Sequence, residues 1–320
     1  MIKTQERMLL VVKRRKELSQ GTFSFELVPV DAIAELPPFS AGSHVAVVTP
    51  SGAVREYSLC NVPAERHRYV IAVKRDAHGQ GGSVSMADQL KEGDTLQVSA
   101  PKNYFLLDKQ ASQFLFVAGG IGITPILSMM RDLQQDNRDF KLIYCTRSPE
   151  MTAFRGELSS SEFADKVFFH HDYGDSKQSL DFAKSLAQRP DGAHLYCCGP
   201  GPLMHAVRDN SRHWPQSTVH FEDFGSTAKA ELSGEKGFLV RLARKGMTAQ
   251  VLPGVTILDA LREKGVVLPS SCESGTCGSC RTPLLAGEPD HRDFILDDDE
   301  KGEIMICISR AKSEELVLDI

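Results

Sequence analysis

A chain of 320 residues, 41% hydrophobic and 25% charged, is longer than one hydrophobic core usually organises. Two or three globular domains are therefore expected, and collagen-like, coiled-coil and disordered classes are excluded. The net charge of −5 sits mainly at the C-terminal end, where residues 235–320 carry 11 Lys+Arg against 15 Asp+Glu, so nucleic acid is not an expected partner.

No apolar run approaches the ~18–20 residues of a membrane span, and residues 1–16 are rich in Lys, Arg and Glu. A soluble, cytoplasmic protein without a membrane partner is expected. Three of the eight cysteines fall within nine residues, and no signal peptide is apparent, which points to metal ligation rather than disulfides.

Residues 1–110 show short alternating runs rich in β-formers, at 22–28, 44–48, 54–59 and 69–74, separated by Gly, Pro and Asn. The pattern predicts an antiparallel β-barrel domain, interrupted by one helix over 84–90. In Arg55-Glu56-Tyr57-Ser58-Leu59, strand alternation puts Arg55 and Tyr57 on one face and Ser58 on the other. A Tyr ring can stack on an isoalloxazine, and an Arg offers bidentate contact to phosphate. Gly81-Gly82-Ser83 precedes the helix, with Ser83 as its expected N-cap and free N–H groups for an anion. Taken singly, either feature is ordinary, a surface and core pair or a capped helix. Together they suit the two ends of flavin mononucleotide (FMN), with Lys74 in reach.

Residues 111–224 change to apolar runs at 114–118, 141–145, 167–170 and 194–197. These alternate with helical segments near 124–135, 179–188 and 202–212. Such alternation predicts an α/β domain with a parallel sheet. The first run enters Gly119-Gly120-Ile121-Gly122-Ile123-Thr124-Pro125, a strand, Gly-rich turn and helix. It lacks the G-x-G-x-x-G spacing, so its glycines say only that something approaches the backbone closely, a pyrophosphate at the helix start being the natural candidate. The last run ends in Cys198-Gly199-Pro200 at the carboxyl edge, which places Cys198 to line a nicotinamide pocket, while Cys60, Cys145 and Cys197 read as buried thiols. After 141–145 comes Thr146-Arg147-Ser148, with no carboxylate for adenine-ribose hydroxyls; Arg147 could instead meet a 2′-phosphate.

Residues 225–236 are small and polar, as in a linker. Residues 237–320 form an expected α+β ferredoxin-like domain of β-grasp type, with strands at 238–242, 248–252 and 315–318 and a helix over 256–264. Cys272, Cys277 and Cys280 follow C-x4-C-x2-C spacing, and Cys307 lies in the strand-like run 304–308. This is the plant-type 2Fe-2S spacing, in which Gly275 and Gly278 let the backbone close around the sulfurs. A zinc site, the competing reading, usually needs two C-x2-4-C knuckles, and only one is present.

The strings REYS, GGS, VAGGIGITP, YCCGP and PSSCESGTCGSC, in this order, resemble the phthalate dioxygenase reductase family, which joins a ferredoxin-NADP reductase module to a plant-type ferredoxin. The resemblance spans essentially the whole chain. It implies FMN held by Arg55, Glu56, Tyr57, Ser58, Ala72, Val73, Lys74, Gly81, Gly82 and Ser83, with Phe224 near the flavin. It also implies NADH bound by Gly119, Gly120, Gly122, Thr124, Pro125, Thr146, Arg147, Cys198, Gly199 and Pro200, with Cys198 and Ser58 as catalytic residues. The implied function is electron transfer from NADH through FMN and the cluster to a terminal Rieske-type aromatic-ring oxygenase, by a monomer docking transiently through its acidic end. The run Asp297-Asp298-Asp299-Glu300 either contributes to that docking or is a solvated face. A stand-alone NAD(P)H flavin oxidoreductase is the alternative.

Overall fold

The computed structural model describes residues 7–31, 33–224, 236–296 and 299–320. They form two compact units, Met1–His220 and Phe221–Ile320. The expected linker falls, except for Lys236, outside the described residues, as do Asp297 and Asp298 of the acidic run. Among the described residues no helix is long and apolar enough to cross a membrane.

The first unit begins with six strands, β1 (Arg7–Ser19), β2 (Thr22–Pro29), β3 (His44–Val48), β4 (Val54–Ser58), β5 (Tyr69–Lys74) and β6 (Thr95–Ser99), and one helix, α1 (Gly82–Gln89). Their order is β4-β3-β6-β1-β2-β5, with antiparallel pairing throughout the registers. The sheet closes where Leu59 bridges Ile71 and the Cys60 N–H donates to the Val70 carbonyl at 2.8 Å. Leu10, Val12, Phe25, Leu27, Val45, Val47 and Val98 point inward and supply the core. The longest strand, β1, was not among the predicted ones. Only Leu10 and Val12 of its 13 residues are buried, and Lys13 to Glu17 cover its outer face, so its apolar alternation is too brief to read without its partners β2 and β6.

Five further strands follow: β7 (Gln113–Gly119), β8 (Phe140–Thr146), β9 (Val167–His171), β10 (Ala193–Cys198) and β11 (Val219–Glu222). Between them lie α2 (Ile123–Gln135), α3 (Arg155–Leu158), α4 (Phe182–Ser185) and α5 (Gly201–Ser211). The order is β11-β10-β7-β8-β9, and β10, β7, β8 and β9 run parallel. The chain starts in the middle, builds outward to β9 and returns to the other side with β10. The reversal between β7 and β10 opens a crevice at their carboxyl ends. The helix expected over 179–188 shrinks to the single turn α4: the Asp181 side chain caps its start by accepting the Ala183 N–H at 2.9 Å, and beyond its end the Leu186 carbonyl accepts the Trp214 ring N–H at 3.1 Å.

Barrel and parallel sheet share one core, in which Ala41, Cys60, Ala72 and Phe105 pack with Phe116, Ile126, Met129 and Tyr196. The Ser128 hydroxyl donates to the Asn61 carbonyl (2.9 Å) and the Arg131 guanidinium to that of Cys60 (2.5 Å).

On β10 and β11, His194 Nδ1 and His220 Nε2 stand 3.0 Å apart, and the His220 ring stacks on Tyr196 with centroids 4.4 Å apart. One ring must donate and the other accept, so both cannot be protonated in this geometry. Burial, and then His194, push His220 down to about 4, against a smaller opposing pull from Asp108. Burial and Arg189 also lower His194, again opposed by Asp108. An unfolded chain takes up these protons near pH 6.5 and the folded one does not. Stability is therefore present above that pH and lost as pH falls from 6.5 toward about 4. A melting temperature lower by a few degrees at pH 5 than at pH 7 is expected, with a smaller difference in His220→Phe, and calorimetry at the two pH values checks it.

The second unit contains β12 (Phe238–Leu242), β13 (Met247–Val251), α6 (Ile257–Glu263), β14 (Arg281–Ala286), β15 (Pro289–Asp290), β16 (Glu303–Met305), β17 (Arg310–Ala311) and β18 (Glu315–Leu318). Its sheet order is β13-β12-β18-β14-β16, with β12 and β18 parallel at the centre, the β-grasp arrangement. The Thr256 hydroxyl caps α6 by accepting the Asp259 N–H at 3.0 Å. The apolar face of α6, Ile257, Leu258 and Leu261, packs with Val240, Leu296, Ile304 and Leu316.

Candidate functional site: a nucleotide crevice, a flavin cradle and a paired-thiolate loop

A cavity of about 530 Å³ lies at the carboxyl ends of β7, β8 and β9, beside the start of α5. That volume suits a small-molecule ligand. Gly119 and Gly120 border it, as do Thr146, Arg147 and Pro200. The Gly-rich turn does two separate things there. Gly120, at φ +53°, faces the cavity, whereas a side chain on Gly122 would overlap the Cys198 carbonyl and one on Gly119 would come within 2.6 Å of Pro200 Cδ. Much of the close approach inferred from these glycines is thus made by the protein's own Cys198–Pro200 segment.

The residues that border the cavity differ in part from those expected to bind the coenzyme. Gly122, Thr124 and Pro125 are buried and do not border the cavity, and the Thr124 hydroxyl donates to the Ile121 carbonyl at 2.9 Å. Cys198 is also fully buried, packed in the core and not among the bordering residues; the thiol at the cavity is Cys145, one residue before Thr146. Burial, with a further contribution from Asp172, pushes that thiol up to about 12. A carboxylate stands beyond the next strand: Asp172, just past β9, borders the same cavity as Arg147. Its Oδ1 accepts the Gly174 N–H at 2.9 Å, and the neighbouring Tyr173 N–H donates to the Arg147 carbonyl at 2.8 Å, lacing the two strand ends together. Thr146 braces the loop, its hydroxyl 2.7 Å from Thr152 Oγ1 and 2.9 Å from His171 Nδ1.

In the barrel, the Arg55 side chain lies across Gly82, where an added Cβ would meet its Cγ at 3.0 Å and Nε at 3.2 Å. The REYS strand and the GGS turn are therefore brought together. The N-cap of α1 is Gly81, at φ +82°, with no side-chain cap; Ser83 is inside the helix and its hydroxyl accepts the Asp76 N–H at 3.1 Å. The expected serine cap is thus replaced by a glycine in a left-handed conformation that leaves the first helical N–H groups without a side-chain acceptor.

The hydroxyls of Tyr57 and Ser58 are buried without a hydrogen-bond partner among the described residues, and burial pushes the Tyr57 hydroxyl up to about 12. Leaving such a buried hydroxyl unpaired costs about 1–3 kcal/mol, which a polar ligand at this place would offset. Lys74 borders the nucleotide cavity together with Thr22 of the barrel. Ala72 and Val73 are buried in the cores, Glu56 is exposed on the outer side 3.8 Å from His44, and Phe224 is exposed.

In the second unit the four cysteines form two pairs. A side-chain hydrogen bond links Cys272 with Cys277 and another links Cys280 with Cys307; each lowers the first thiol of its pair and, together with burial, raises the second. The N–H groups of Cys272 and Ser274 reach the sulfurs of Cys277 and Cys272, each at 3.5 Å. Among the described residues no three His, Cys, Asp or Glu side chains converge as on a single metal ion. Two cysteine pairs suit two bridged irons, each pair completing one tetrahedral iron.

The cluster loop closes through left-handed residues Glu273, Gly275 and Gly278. A side chain on Gly275 would come within 2.7 Å of Ile308 Cγ2. Glu273, the non-glycine among them, is held by Arg262 Nη2 (2.5 Å) and the Ser270 hydroxyl (3.0 Å). Cys307 lies in a turn just beyond β16 rather than in a strand.

A nucleotide-sized crevice at a parallel-sheet switch point and two pairs of cysteines, three on one loop and one on a neighbouring turn, define a pyridine-nucleotide-linked iron–sulfur oxidoreductase. Comparison with known proteins agrees. The pattern described as an oxidoreductase NAD-binding domain matches residues 116–209, and that of a 2Fe-2S iron-sulfur cluster binding domain matches 240–312. The phthalate 4,5-dioxygenase oxygenase reductase subunit of Pseudomonas putida is 51% identical over 97% of this chain and 96% of its own. The phthalate dioxygenase reductase of Burkholderia cepacia is 51% identical over 97% of both. A solved phthalate dioxygenase reductase, described as a modular structure for electron transfer from pyridine nucleotides to [2Fe-2S], superimposes with a TM-score of 0.70 at 50% identity over 98% of both chains. The chain belongs to the phthalate dioxygenase reductase family.

Proposed function

We propose that this chain takes hydride from NADH at the 530 Å³ cavity and passes the electrons through FMN to a 2Fe-2S cluster on Cys272, Cys277, Cys280 and Cys307. From there they go to a terminal Rieske-type oxygenase that acts on an aromatic ring. The observation that carries the reading is the cysteine loop, turned at Gly275 and Gly278 with the Cys272 and Ser274 N–H groups reaching its sulfurs, on the same chain as the nucleotide crevice. When bound, the flavin converts the electron pair of a hydride into the single electrons that such a cluster takes up.

The chain's own residues supply position. Arg55 and the open start of α1 suit the flavin phosphate. Tyr57 and Ser58 offer their unpartnered hydroxyls to the ring system. Asp172 suits the adenine-ribose hydroxyls of NADH, and Lys74 stands between the barrel and the cavity. The division into a flavin barrel (1–110), a nucleotide domain (111–224) and a ferredoxin domain (237–320) follows these roles. All eight cysteines are free, in keeping with a reducing, cytoplasmic setting. The acidic balance of residues 235–320 supports a monomer that docks transiently on a basic patch of its oxygenase, more weakly as salt is raised.

The test is a cofactor assay and visible spectrum of the purified protein, followed by NADH-driven reduction of a one-electron acceptor. FMN, two irons and two sulfides per chain are expected, with a rhombic paramagnetic signal after one-electron reduction. Stoichiometric zinc without iron, or absence of flavin, overturns the reading.

A further inference from the structure

Two separate segments carry the cysteines, the loop 272–280 and the turn holding Cys307, and one buried acidic side chain touches both. Asp293 is 0% exposed. Its Oδ1 accepts the N–H groups of Ile295 (3.0 Å) and Leu296 (2.6 Å), and its Oδ2 accepts the Ser309 hydroxyl at 3.0 Å. Ser309 stands two residues beyond Cys307.

On the loop side, Asp293 packs against Gly275, midway between Cys272 and Cys277. An ideal Cβ on that glycine would lie 2.9 Å from Asp293 Cβ and 3.0 Å from its Cα. The Phe294 N–H donates to the Gly275 carbonyl at 3.0 Å. His291, whose side chain is also buried, brings Nδ1 to 3.7 Å from Asp293 Oδ2, and that nitrogen has no hydrogen-bond partner among the described residues.

An asparagine would present the same Oδ1 to Ile295 and Leu296 and could still meet the Ser309 hydroxyl. What it lacks is the charge, which is costly to bury and is satisfied here by three donors. We propose that Asp293 is a positioning residue for the 2Fe-2S centre, tying the two cysteine-bearing segments together and, through its buried negative charge, holding the centre's reduction potential down. This rests on the reading of the four cysteines as cluster ligands.

The sign is set by Coulomb's law. Reduction adds one electron to the centre with no bond made or broken, and a fixed negative charge close by in a poorly screened interior opposes it. The reduced centre is thereby a stronger donor to the next carrier. Ser309 serves the other half of the role, since its bond to Oδ2 restrains the Cys307 turn without adding charge.

Two variants separate charge from tether, each measured as the full-length holoprotein. Asp293→Asn is expected to assemble its cluster and to shift the redox equilibrium about tenfold toward the reduced form, a rise of about 59 mV for a one-electron couple. Ser309→Ala is expected to keep the wild-type potential within twofold in that equilibrium but to release iron to a chelator several-fold faster. A potential in Asp293→Asn that is unmoved or lower overturns the charge role. Iron release at the wild-type rate in Ser309→Ala overturns the tether, whether or not Asp293→Asn can be purified. Wild-type protein without iron and sulfide would instead sink the ligand reading on which the inference rests.

Discussion

Cys277→Ala is expected to lose the rhombic signal of the reduced cluster and to reduce a one-electron protein acceptor such as cytochrome c roughly a hundredfold more slowly than wild type. Three thiols cannot complete two tetrahedral irons, and Cys277 is the one that pairs with Cys272, so its loss strips one half of the site. The pair Cys280 and Cys307, 5% and 4% exposed, would remain as a buried couple with nothing to bridge to. NADH oxidation by a two-electron dye, which ends at the flavin, should persist. If cytochrome c reduction also persists, the cysteine module is not the exit for electrons and the chain works as a stand-alone flavin oxidoreductase. Truncation after residue 224 offers the same comparison without relying on one side chain.

The second large effect concerns the coenzyme. Asp172→Asn should raise the ratio of kcat/KM for NADPH over NADH by about a hundredfold, since a carboxylate facing a 2′-phosphate is worth roughly 3 kcal/mol of repulsion. The amide keeps an acceptor for the Gly174 N–H, so the turn after β9 is preserved and the change is one of charge. Arg147, bordering the same cavity, is then free to meet the phosphate. Steady-state kinetics with both coenzymes checks it; a ratio that moves less than about threefold would mean that Asp172 does not face the ribose. Read along the chain, Thr146-Arg147-Ser148 offers no carboxylate for the ribose, whereas the end of the neighbouring strand brings Asp172 to the same cavity.

What could be read along the chain was whatever depends on near neighbours. The C-x4-C-x2-C spacing, the glycines that let its loop turn and the parallel-sheet runs are local, because ligand spacing and backbone conformation are set within a few residues. The strands His44–Val48, Tyr69–Lys74, Phe238–Leu242 and Glu315–Leu318 were legible for the same reason, each having a run of apolar or β-branched residues bounded by turn formers.

Tertiary structure decided the rest. β1 is a strand because β2 and β6 flank it, although charges hide its pattern. Cys198 is buried in the core while Cys145 borders the cavity, because Gly119 and Gly122 pack against Cys198–Pro200 where β7 and β10 end. Asp172 joins Arg147 only through the parallel pairing of β8 with β9, which aligns Thr146 with His171, 25 positions later. Asp293 meets both cysteine segments by the same kind of long-range closure. Spacing along the chain can specify the cluster, because its ligand set is mostly a single loop. The nucleotide and redox-tuning residues come from different strands and turns, and which of them share a wall depends on strand order and on where glycines allow backbones to touch.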